Sequence, residues 1–300
     1  MPKIPFMARL QQPVPLVADG AMGTQLHLHG YPLTTCFEAL NVTEPDTILS
    51  VHHAYVVAGA DLIETNTFGA NRYKLGDHNL AEQVTAINRA GVALVKRAIA
   101  AAGRSDTVYI AGSVGPLGQM LRPYGRISKE DARAAFVEQI VALAEGGVDV
   151  LLFETFAEHA QLLEALAAAR AAAPHLPVIC QATFTQDDQT LSGFTPSKVA
   201  FDLYKAGADV IGVNCSGGPA QISTILQTMA QSVPEAKLSA MPNAGYPETV
   251  GGRVMYPASA EYFGDYALTF QAIGARIIGG CCGTTPDHIA AMRRAVDDAA

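Results

Sequence analysis

The chain has 300 residues, of which 49% are hydrophobic and 16% are charged, and its formal net charge is −8. This length suits either one large α/β barrel or two ordinary domains, and the composition is typical of a globular protein with buried parallel strands. The acidic balance, without runs of lysine or arginine, argues against binding to nucleic acid or to an acidic membrane surface.

The amino-terminal segment 1–15 mixes prolines with Lys3 and Arg9 and contains few apolar residues. It therefore lacks the apolar stretch of a signal peptide or a membrane span. Five cysteines are too few for a disulfide framework in a chain of this length. We expect a cytoplasmic protein with reduced thiols and no nucleic-acid or membrane partner.

Eight short apolar runs are predicted to be buried strands, and they alternate with eight segments of helical periodicity. The strands are expected at 16–20, 61–67, 108–114, 149–155, 177–184, 209–215, 237–241 and 275–282. The helices are expected at 47–58, 81–101, 129–145, 158–173, 196–206, 219–232, 258–273 and 286–298. This alternation predicts a single α/β domain over residues 1–300, folded as one (β/α)8 TIM barrel.

A short repeat precedes every second strand, and its glycine is expected to adopt the left-handed conformation that ends a helix. The copies are Gly59-Ala60-Asp61, Gly147-Val148-Asp149, Gly207-Ala208-Asp209 and Gly274-Ala275-Arg276. Seven and eight residues beyond these glycines lie Asn66-Thr67, Glu154-Thr155, Asn214-Cys215 and Cys281-Cys282. Because barrel enzymes carry their chemistry at the carboxyl ends of the strands, the repeat predicts an active site there.

Cys215 and Cys282 share one position in this repeat, on two alternate strands, and are expected to face each other. Cys281 joins them only if the chain bends, which Gly279, Gly280 and Gly283 would allow. Three thiolates with an open fourth position are the ligand set of a catalytic zinc ion. Such a zinc ion would bind a thiol substrate as the thiolate and keep its sulfur nucleophilic.

Other interpretations of these cysteines remain open at this point. Cys215 could be a small buried core residue and Cys281-Cys282 a chance pair, since free cysteine is commonly buried. A barrel acting on phosphorylated metabolites would leave the double cysteine unexplained, and a non-catalytic zinc store would need no carboxylates beside the metal. Cys36 and Cys180 lie outside the repeat position, and we interpret both as structural.

The cysteine segments closely resemble the zinc-binding signature of the homocysteine S-methyltransferase family. They are Asn214-Cys215 and Gly279-Gly280-Cys281-Cys282-Gly283-Thr284-Thr285-Pro286. The resemblance continues through Asp19-Gly20-Ala21-Met22-Gly23-Thr24, Thr65-Asn66-Thr67-Phe68-Gly69-Ala70, Gly112-Ser113-Val114-Gly115-Pro116, Phe153-Glu154-Thr155-Phe156 and Pro242-Asn243-Ala244-Gly245. Among the branches of the family, two of these segments, Thr65-Asn66-Thr67-Phe68-Gly69 and Phe153-Glu154-Thr155-Phe156, look more like the homocysteine module of cobalamin-dependent methionine synthase than like the S-methylmethionine-using enzymes.

The resemblance implies a reaction and a set of site residues. A homocysteine thiolate on Zn²⁺, held by Cys215, Cys281 and Cys282, would take a methyl group and give methionine. Asp19 and Glu154 match the carboxylates near the homocysteine ammonium. The amides of the first loop, with Gly20, Gly23 and Thr24, match the segment that holds its carboxylate. Thr67 and Asn214 lie in matching substrate segments, and Asn243 matches a residue close to the metal.

The methyl donor is left open by the sequence. We find no Asp-x-His-x-x-Gly segment for cobalamin, and the eight strands and helices leave no residues for a folate barrel, so we expect an external donor. It would be a methyl-corrinoid protein, slightly favoured, or a small donor such as S-methylmethionine, whose cation Phe68, Phe156 or Tyr246 could contact. The alternatives are a non-catalytic accessory subunit that binds zinc and homocysteine, or an enzyme that methylates another thiol.

Overall fold

The computed structural model describes residues 3–250 and 253–300. Eight strands form one parallel sheet: β1 (Leu16–Val17), β2 (Leu62–Glu64), β3 (Tyr109–Val114), β4 (Val150–Phe156), β5 (Val178–Ala182), β6 (Val210–Asn214), β7 (Lys237–Met241) and β10 (Ala275–Ile278). Their order in the sheet is β1-β10-β7-β6-β5-β4-β3-β2. A parallel bridge between Ala18 and Leu62 connects β1 to β2, so the sheet is nearly closed and the predicted TIM barrel is confirmed.

Eight long helices follow the barrel strands, close to the predicted positions. They are α4 (Pro45–Val57), α6 (Val84–Ala101), α7 (Lys129–Gly146), α8 (His159–Ala172), α9 (Pro196–Lys205), α10 (Pro219–Ser232), α11 (Ala260–Ile273) and α12 (Pro286–Asp298). The described chain also contains short elements that periodicity did not predict. They are α1 (Phe6–Arg9), α2 (Gly23–Leu28), α3 (Leu40–Thr43), α5 (Arg72–Gly76) and the antiparallel hairpin of β8 (Glu248–Val250) and β9 (Arg253–Met255).

Five barrel strands end earlier than predicted, three of them by three or four residues and β5 and β6 by two and one, which corrects their expected bounds. The strands predicted to reach residues 20, 67 and 282 end at Val17, Glu64 and Ile278. After β2 the chain turns at once, because the Thr67 amide bonds to the Thr65 carbonyl instead of to a neighbouring strand. The residues beyond these strand ends therefore form loops over the mouth of the barrel.

Alternate strand residues separate the barrel interior from the layer between strands and helices. In β4, Val150 and Leu152 join the interior cluster, whereas Leu151 and Phe153 pack against the helices. Phe6 of α1 belongs to the interior cluster and contacts the Tyr109 ring edge-on at 5.4 Å between centroids. The amino-terminal end of the barrel is therefore closed by apolar side chains, and polar groups inside it concentrate toward the opposite end.

The repeat before alternate strands has two structural roles. Its glycines all have positive φ, between +83° and +108°, as predicted for residues that follow a helix. The aspartates, which had no assigned role, each accept a backbone N–H from the preceding strand: Asp61 from Val17, Asp149 from Ile110 and Asp209 from Val178. The repeat thus fixes the register between the beginnings of neighbouring strands. This register in turn determines where the residues at the carboxyl ends of the strands lie along the barrel axis.

Gly212 in β6 tests the packing of the barrel interior. It leaves room for the Gln181 amide to reach the Ser239 hydroxyl at 3.1 Å across the strand, and an added Cβ would overlap both the hydroxyl and the carbonyl oxygen of Ser239. We expect Gly212→Ala to lower the free energy of unfolding by about 2 kcal/mol or more. The control is Gly76→Ala in α5, where the added Cβ meets only Ala81, at 3.9 Å. Equal melting temperatures of the two variants would contradict this account.

Candidate metal centre and substrate pocket

Three thiols converge at the carboxyl end of the barrel. Cys215 follows β6, and Cys281 and Cys282 lie beyond the end of β10. The three sulfur atoms all lie within 4.8 Å of one another, and those of Cys215 and Cys282 are 3.6 Å apart. All three side chains are partly buried, and the group could hold a metal ion. The predicted meeting of Cys215 and Cys282 is therefore present, and Cys281 joins it.

Two bends in the backbone produce this convergence. Cys215 itself has φ +51°, a left-handed conformation that is costly for a residue with a side chain. Beyond β10, the Cys281 amide bonds to the Pro242 carbonyl at 2.7 Å, and Gly283 has φ +80°. A Cβ on Gly283 would overlap the Tyr256 ring. The bend predicted near the paired cysteines is present at Gly283, whereas the bend at Cys215 was not predicted.

The spacing and chemistry of the thiols fit a tetrahedral metal ion. Sulfur ligands about 2.3 Å from a tetrahedral zinc ion lie roughly 3.8 Å from one another, which is close to the separation of Cys215 and Cys282. Without a metal ion, hydrogen bonds from the Cys215 and Cys281 thiols lower the pKa of Cys282 to about 3. The cluster therefore already favours one thiolate, the form in which cysteine binds a metal.

Asn214, the last residue of β6, connects the thiols to β4, two strands away in the sheet. Its side-chain NH₂ group donates to the Thr155 hydroxyl at 2.8 Å and lies 3.5 Å from a Glu154 oxygen and 3.8 Å from the Cys281 sulfur. Its oxygen accepts the Thr155 amide at 2.8 Å. Thr155, like Cys215, has a left-handed backbone, with φ +62°. Asn214 therefore fixes both unusual turns relative to each other.

A pocket of about 280 Å³ opens beside the thiols. Its lining combines the three cysteines, the first loop and carboxylates from the strand ends; among the lining residues are Asp19, Gly20, Ala21, Met22, Gly23, Thr24, Phe37, Glu38, Glu64, Thr65, Phe68, Ser113 and Glu154. The predicted site residues Asp19, Gly20, Gly23, Thr24 and Glu154 thus come together with the thiols around one cavity.

Three carboxylates at the carboxyl ends of β1, β2 and β4 face this pocket. Asp19 is only 2% exposed; one of its oxygens accepts the Glu64 amide at 3.1 Å, and the other, Oδ1, is buried without a hydrogen-bond partner. Glu154 accepts a hydrogen bond from the Ser113 hydroxyl. The Oε1 atom of Glu64 is also buried without a partner. Unpartnered carboxylate oxygens in a cavity are suited to receive a cationic group of a ligand.

These carboxylates shift one another's titration. Burial raises the pKa of Asp19, and the charge of Glu154 adds to the rise. Burial likewise raises the pKa of Glu64, with further increases from Glu154 and Asp19. The pKa of Glu154 is also raised by burial, although hydrogen bonds from Ser113 and Glu64 oppose the change. These shifts favour at least one proton shared within the cluster, and a bound cation would favour full ionisation.

Glu64 was not predicted as a site residue. The residue seven positions beyond the repeat glycine before this strand is Asn66, not Glu64. The barrel strands are staggered, so residues at equal distances from their glycines do not lie at the same level along the barrel axis. Side-chain alternation contains the missing signal: Leu62 faces the interior, and Glu64, two residues later, must face the same way. The same alternation leads from Ala111 to Ser113 in β3, which was also missed.

The other predicted site residues lie outside the pocket lining described above. The Thr67 hydroxyl is buried and donates to the Ser113 carbonyl at 2.7 Å. Asn214 lies behind the pocket, in contact with the residues that line it. The Asn243 amide donates to the Cys215 carbonyl at 3.3 Å, and its own oxygen is buried without a partner. The substrate contacts expected of Thr67, Asn214 and Asn243 therefore stay predictions.

Of the three aromatic residues predicted to contact a cationic donor, Phe68 lines the pocket. Phe156 is fully buried in the core against Phe136, so its ring is not accessible to a ligand. Tyr246 lines a different groove and donates to the Gln221 side chain. Cys180 is fully buried, and Cys36 is a partly buried free thiol.

Comparisons with known proteins show the family of this chain and agree with its fold. The family description "Homocysteine S-methyltransferase" matches residues 16–296. Proteins named methionine synthase from Mycobacterium leprae and Mycobacterium tuberculosis are each 35% identical over 293 residues, covering 94% of this chain. The chain spans only 24% of the length of either relative.

A solved structure extends the similarity to the fold. The metallated form of the homocysteine methyltransferase MmuM from Escherichia coli superposes with a TM-score of 0.81 at 28% identity, covering 97% of this chain and 99% of that one. Its apo form gives a TM-score of 0.75 at 26% identity. The chain belongs to the homocysteine S-methyltransferase family. In the described part of the chain, no helix combines the length and apolar character needed to cross a membrane.

The raised carboxyl pKa values predict how stability depends on pH. A carboxyl whose pKa is higher in the folded state than in the unfolded state binds protons preferentially in the folded state, so stability is lost as the pH rises through the folded pKa. We expect Glu64→Gln to be more stable than the unsubstituted protein at pH 8 without substrate, with the difference shrinking toward pH 5. Thermal unfolding across this range measures the difference in stability.

Glu138→Gln, which removes a partner of Arg72 on the protein surface, is the control and should show no such gain. A pH-independent difference for Glu64→Gln would contradict the account.

Proposed function

We propose that this protein transfers a methyl group to the sulfur of homocysteine and forms methionine, with Cys215, Cys281 and Cys282 holding a catalytic zinc ion. The observation that carries the proposal is the convergence of three sulfur atoms within 4.8 Å beside a pocket that contains unpartnered carboxylate oxygens. A thiol at one end of the substrate and an ammonium group at the other match these two features. Family membership supports the same reaction.

The substrate sulfur would meet the thiol cluster, where zinc supplies the positive charge that keeps a bound thiol deprotonated at neutral pH. Thiolate ligands donate electron density and so preserve the nucleophilicity of that sulfur. Asn214 orients Glu154 and lies against Cys281, so one side chain connects the carboxylate end of the site to the thiol end. The left-handed turn at Cys215 keeps its sulfur on the pocket side of β6.

The opposite end of homocysteine would lie among the strand-end carboxylates. Asp19 and Glu154 accept the ammonium group, and the unpartnered Asp19 Oδ1 gives it a buried acceptor. The substrate carboxylate would meet backbone amides of the first loop around Gly20, Gly23 and Thr24, where no side chain caps the start of α2. This loop is fixed from behind, because the Thr284 hydroxyl accepts the Ala21 amide at 3.1 Å. Because the ammonium and carboxylate groups of homocysteine would both be held in this way, its sulfur would be kept in one position beside the thiol cluster.

The methyl donor would approach from the open mouth of the barrel. We propose an external donor, with a methyl-corrinoid protein slightly favoured over a small molecule such as S-methylmethionine. We also propose that residues 1–300 form a single domain that works in the cytoplasm, where the three thiols stay reduced. Asn243, beside Cys215, would lie next to the metal and could contact the open ligand position.

Metal and activity should depend on the same three side chains. We expect about one zinc ion per chain in the purified protein, and Cys215→Ser, Cys281→Ser and Cys282→Ser should each lower zinc content and methionine formation by about a hundredfold or more. The fold should survive, because the barrel core is apolar and lies below the thiols. Metal analysis, circular dichroism and methionine assays measure the three quantities.

The assay uses homocysteine with S-methylmethionine, betaine, methyltetrahydrofolate and methylcobalamin in parallel, and Cys36→Ser serves as the control thiol variant. Full activity in zinc-free protein would contradict the proposal. Zinc and homocysteine binding without methyl transfer from any donor would instead favour a non-catalytic accessory subunit. Turnover with methyltetrahydrofolate alone would show that the chain accepts folate directly.

A further inference from the structure

One aromatic ring of the pocket lies between a glycine and a lysine. Phe68 follows β2 and lines the pocket, and its carbonyl accepts the Gly115 amide at 2.8 Å. A Cβ on Gly115 would overlap the Phe68 ring, so the backbone there packs directly against the ring. Lys74 lies over the ring, with its Nζ atom 4.4 Å from the centroid. The Phe68 ring is therefore already in contact with a cation of this chain.

The position of Lys74 is fixed by the cap of its helix and by the packing of its side chain. It belongs to α5, whose first turn is capped by the Asn71 side chain, which accepts the amides of Tyr73 and Lys74 at 3.1 Å. The aliphatic part of Lys74 passes close to Gly69 and Gly118, where an added Cβ would come within 3.1 Å and 3.3 Å of its carbons. These two glycines leave the space in which the lysine side chain extends to the ring.

Lys74 has no carboxylate partner among the ion pairs of the described residues, in contrast to Lys3 with Asp149 and Lys198 with Asp202. Burial lowers the pKa of Lys74, and the charge of Glu38 opposes this change. Its ammonium group therefore has the aromatic ring as its contact. An ammonium group over a phenyl face is a recognised attractive arrangement, and one ring face takes one cation.

This arrangement bears on the class of methyl donor, because small methyl donors with a sulfonium or quaternary ammonium centre are themselves cations that bind on aromatic faces. The pocket contains a second ring, Phe37, which packs 3.3 Å from the position of a Cβ on Gly23, in the loop assigned to the homocysteine carboxylate. Phe68 is thus the ring available to a donor, and the ammonium group of Lys74 already lies 4.4 Å from its centroid.

We propose that Lys74 selects the methyl donor: its ammonium group lies on the Phe68 ring and repels other cations near that ring, so the site disfavours sulfonium and quaternary ammonium donors and favours a donor without a fixed positive charge beside the methyl group. This inference rests on the proposed methyl transfer and adds the chemical class of its second substrate. A methyl group carried on the metal of a corrinoid fits this class, whereas S-methylmethionine and betaine do not.

Binding of two isosteric probes tests the proposal without catalysis. Choline carries a quaternary ammonium group, and 3,3-dimethyl-1-butanol has the same shape without the charge. Lys74→Met and Lys74→Gln should bind choline at least about fivefold more tightly than the unsubstituted protein does, with no matching gain for the neutral alcohol. Isothermal titration of each zinc-loaded protein gives the two affinities.

Two controls separate charge from space and position. Lys74→Arg keeps the positive charge and should show no gain, and Lys205→Met removes a lysine 5.6 Å from the Phe201 ring centroid on α9 and should also show none. Equal gains for choline and the neutral alcohol, or no gain for choline in either uncharged variant, would overturn the proposal.

Turnover distinguishes this proposal from the proposed reaction. In assays with homocysteine, Lys74→Met should raise the ratio of kcat/KM for S-methylmethionine over kcat/KM for methylcobalamin at least about fivefold. If no donor supports methionine formation while the choline affinities change as expected, the proposed reaction is wrong and the role of Lys74 in excluding cations stands. An unchanged ratio in an active Lys74→Met enzyme would overturn donor selection.

Discussion

The convergence of three thiols at one point is the constraint on which the rest of the site depends. Three neighbouring sulfur atoms cannot all be ionised without a compensating positive charge, and without one the cluster shares protons, so that the pKa of Cys282 falls while that of Cys281 rises. The fold accepts left-handed backbone at Cys215 to bring the sulfurs together. A strained turn that serves to gather three metal-binding groups is typical of a functional site.

A second group of like charges faces the first across the pocket. Asp19, Glu64 and Glu154 all have raised pKa values, first because burial removes them from water, and for Asp19 and Glu64 also because of the neighbouring carboxylate charges. The two clusters suit two different cations: the thiols suit a metal ion, and the carboxylates suit an organic ammonium group. A zwitterionic amino acid with a terminal thiol would satisfy both ends, which is why the proposed substrate follows from the whole pocket and not from the cysteines alone.

Much of this organisation could be predicted from the sequence, because it repeats or alternates. The alternation of strands and helices predicted the barrel, and the glycines before alternate strands placed Glu154, Asn214, Cys215 and Cys282 at its carboxyl end. Glu64 escaped that count because strand stagger is a property of the closed sheet, not of any one segment.

Other features depend on contacts between distant segments, which no local pattern contains. The left-handed turn at Cys215 is set partly by the hydrogen bonds between Asn214 and Thr155 of β4, two strands away in the sheet. The contact of Lys74 with Phe68 depends on Gly69 and Gly118, and the loops that bring these residues together are packed only in the folded chain. Thr67 lies in a segment that resembles a substrate-binding motif, yet its hydroxyl bonds to the Ser113 carbonyl behind the pocket.

The central claim is that the substrate sulfur becomes the fourth ligand of a metal held by Cys215, Cys281 and Cys282. X-ray absorption at the zinc edge, recorded on zinc-loaded protein before and after addition of homocysteine, measures this directly. The account predicts three sulfur ligands before addition and four after it, with zinc–sulfur distances of about 2.3 Å. A sulfur count that stays at three while homocysteine is bound would contradict it.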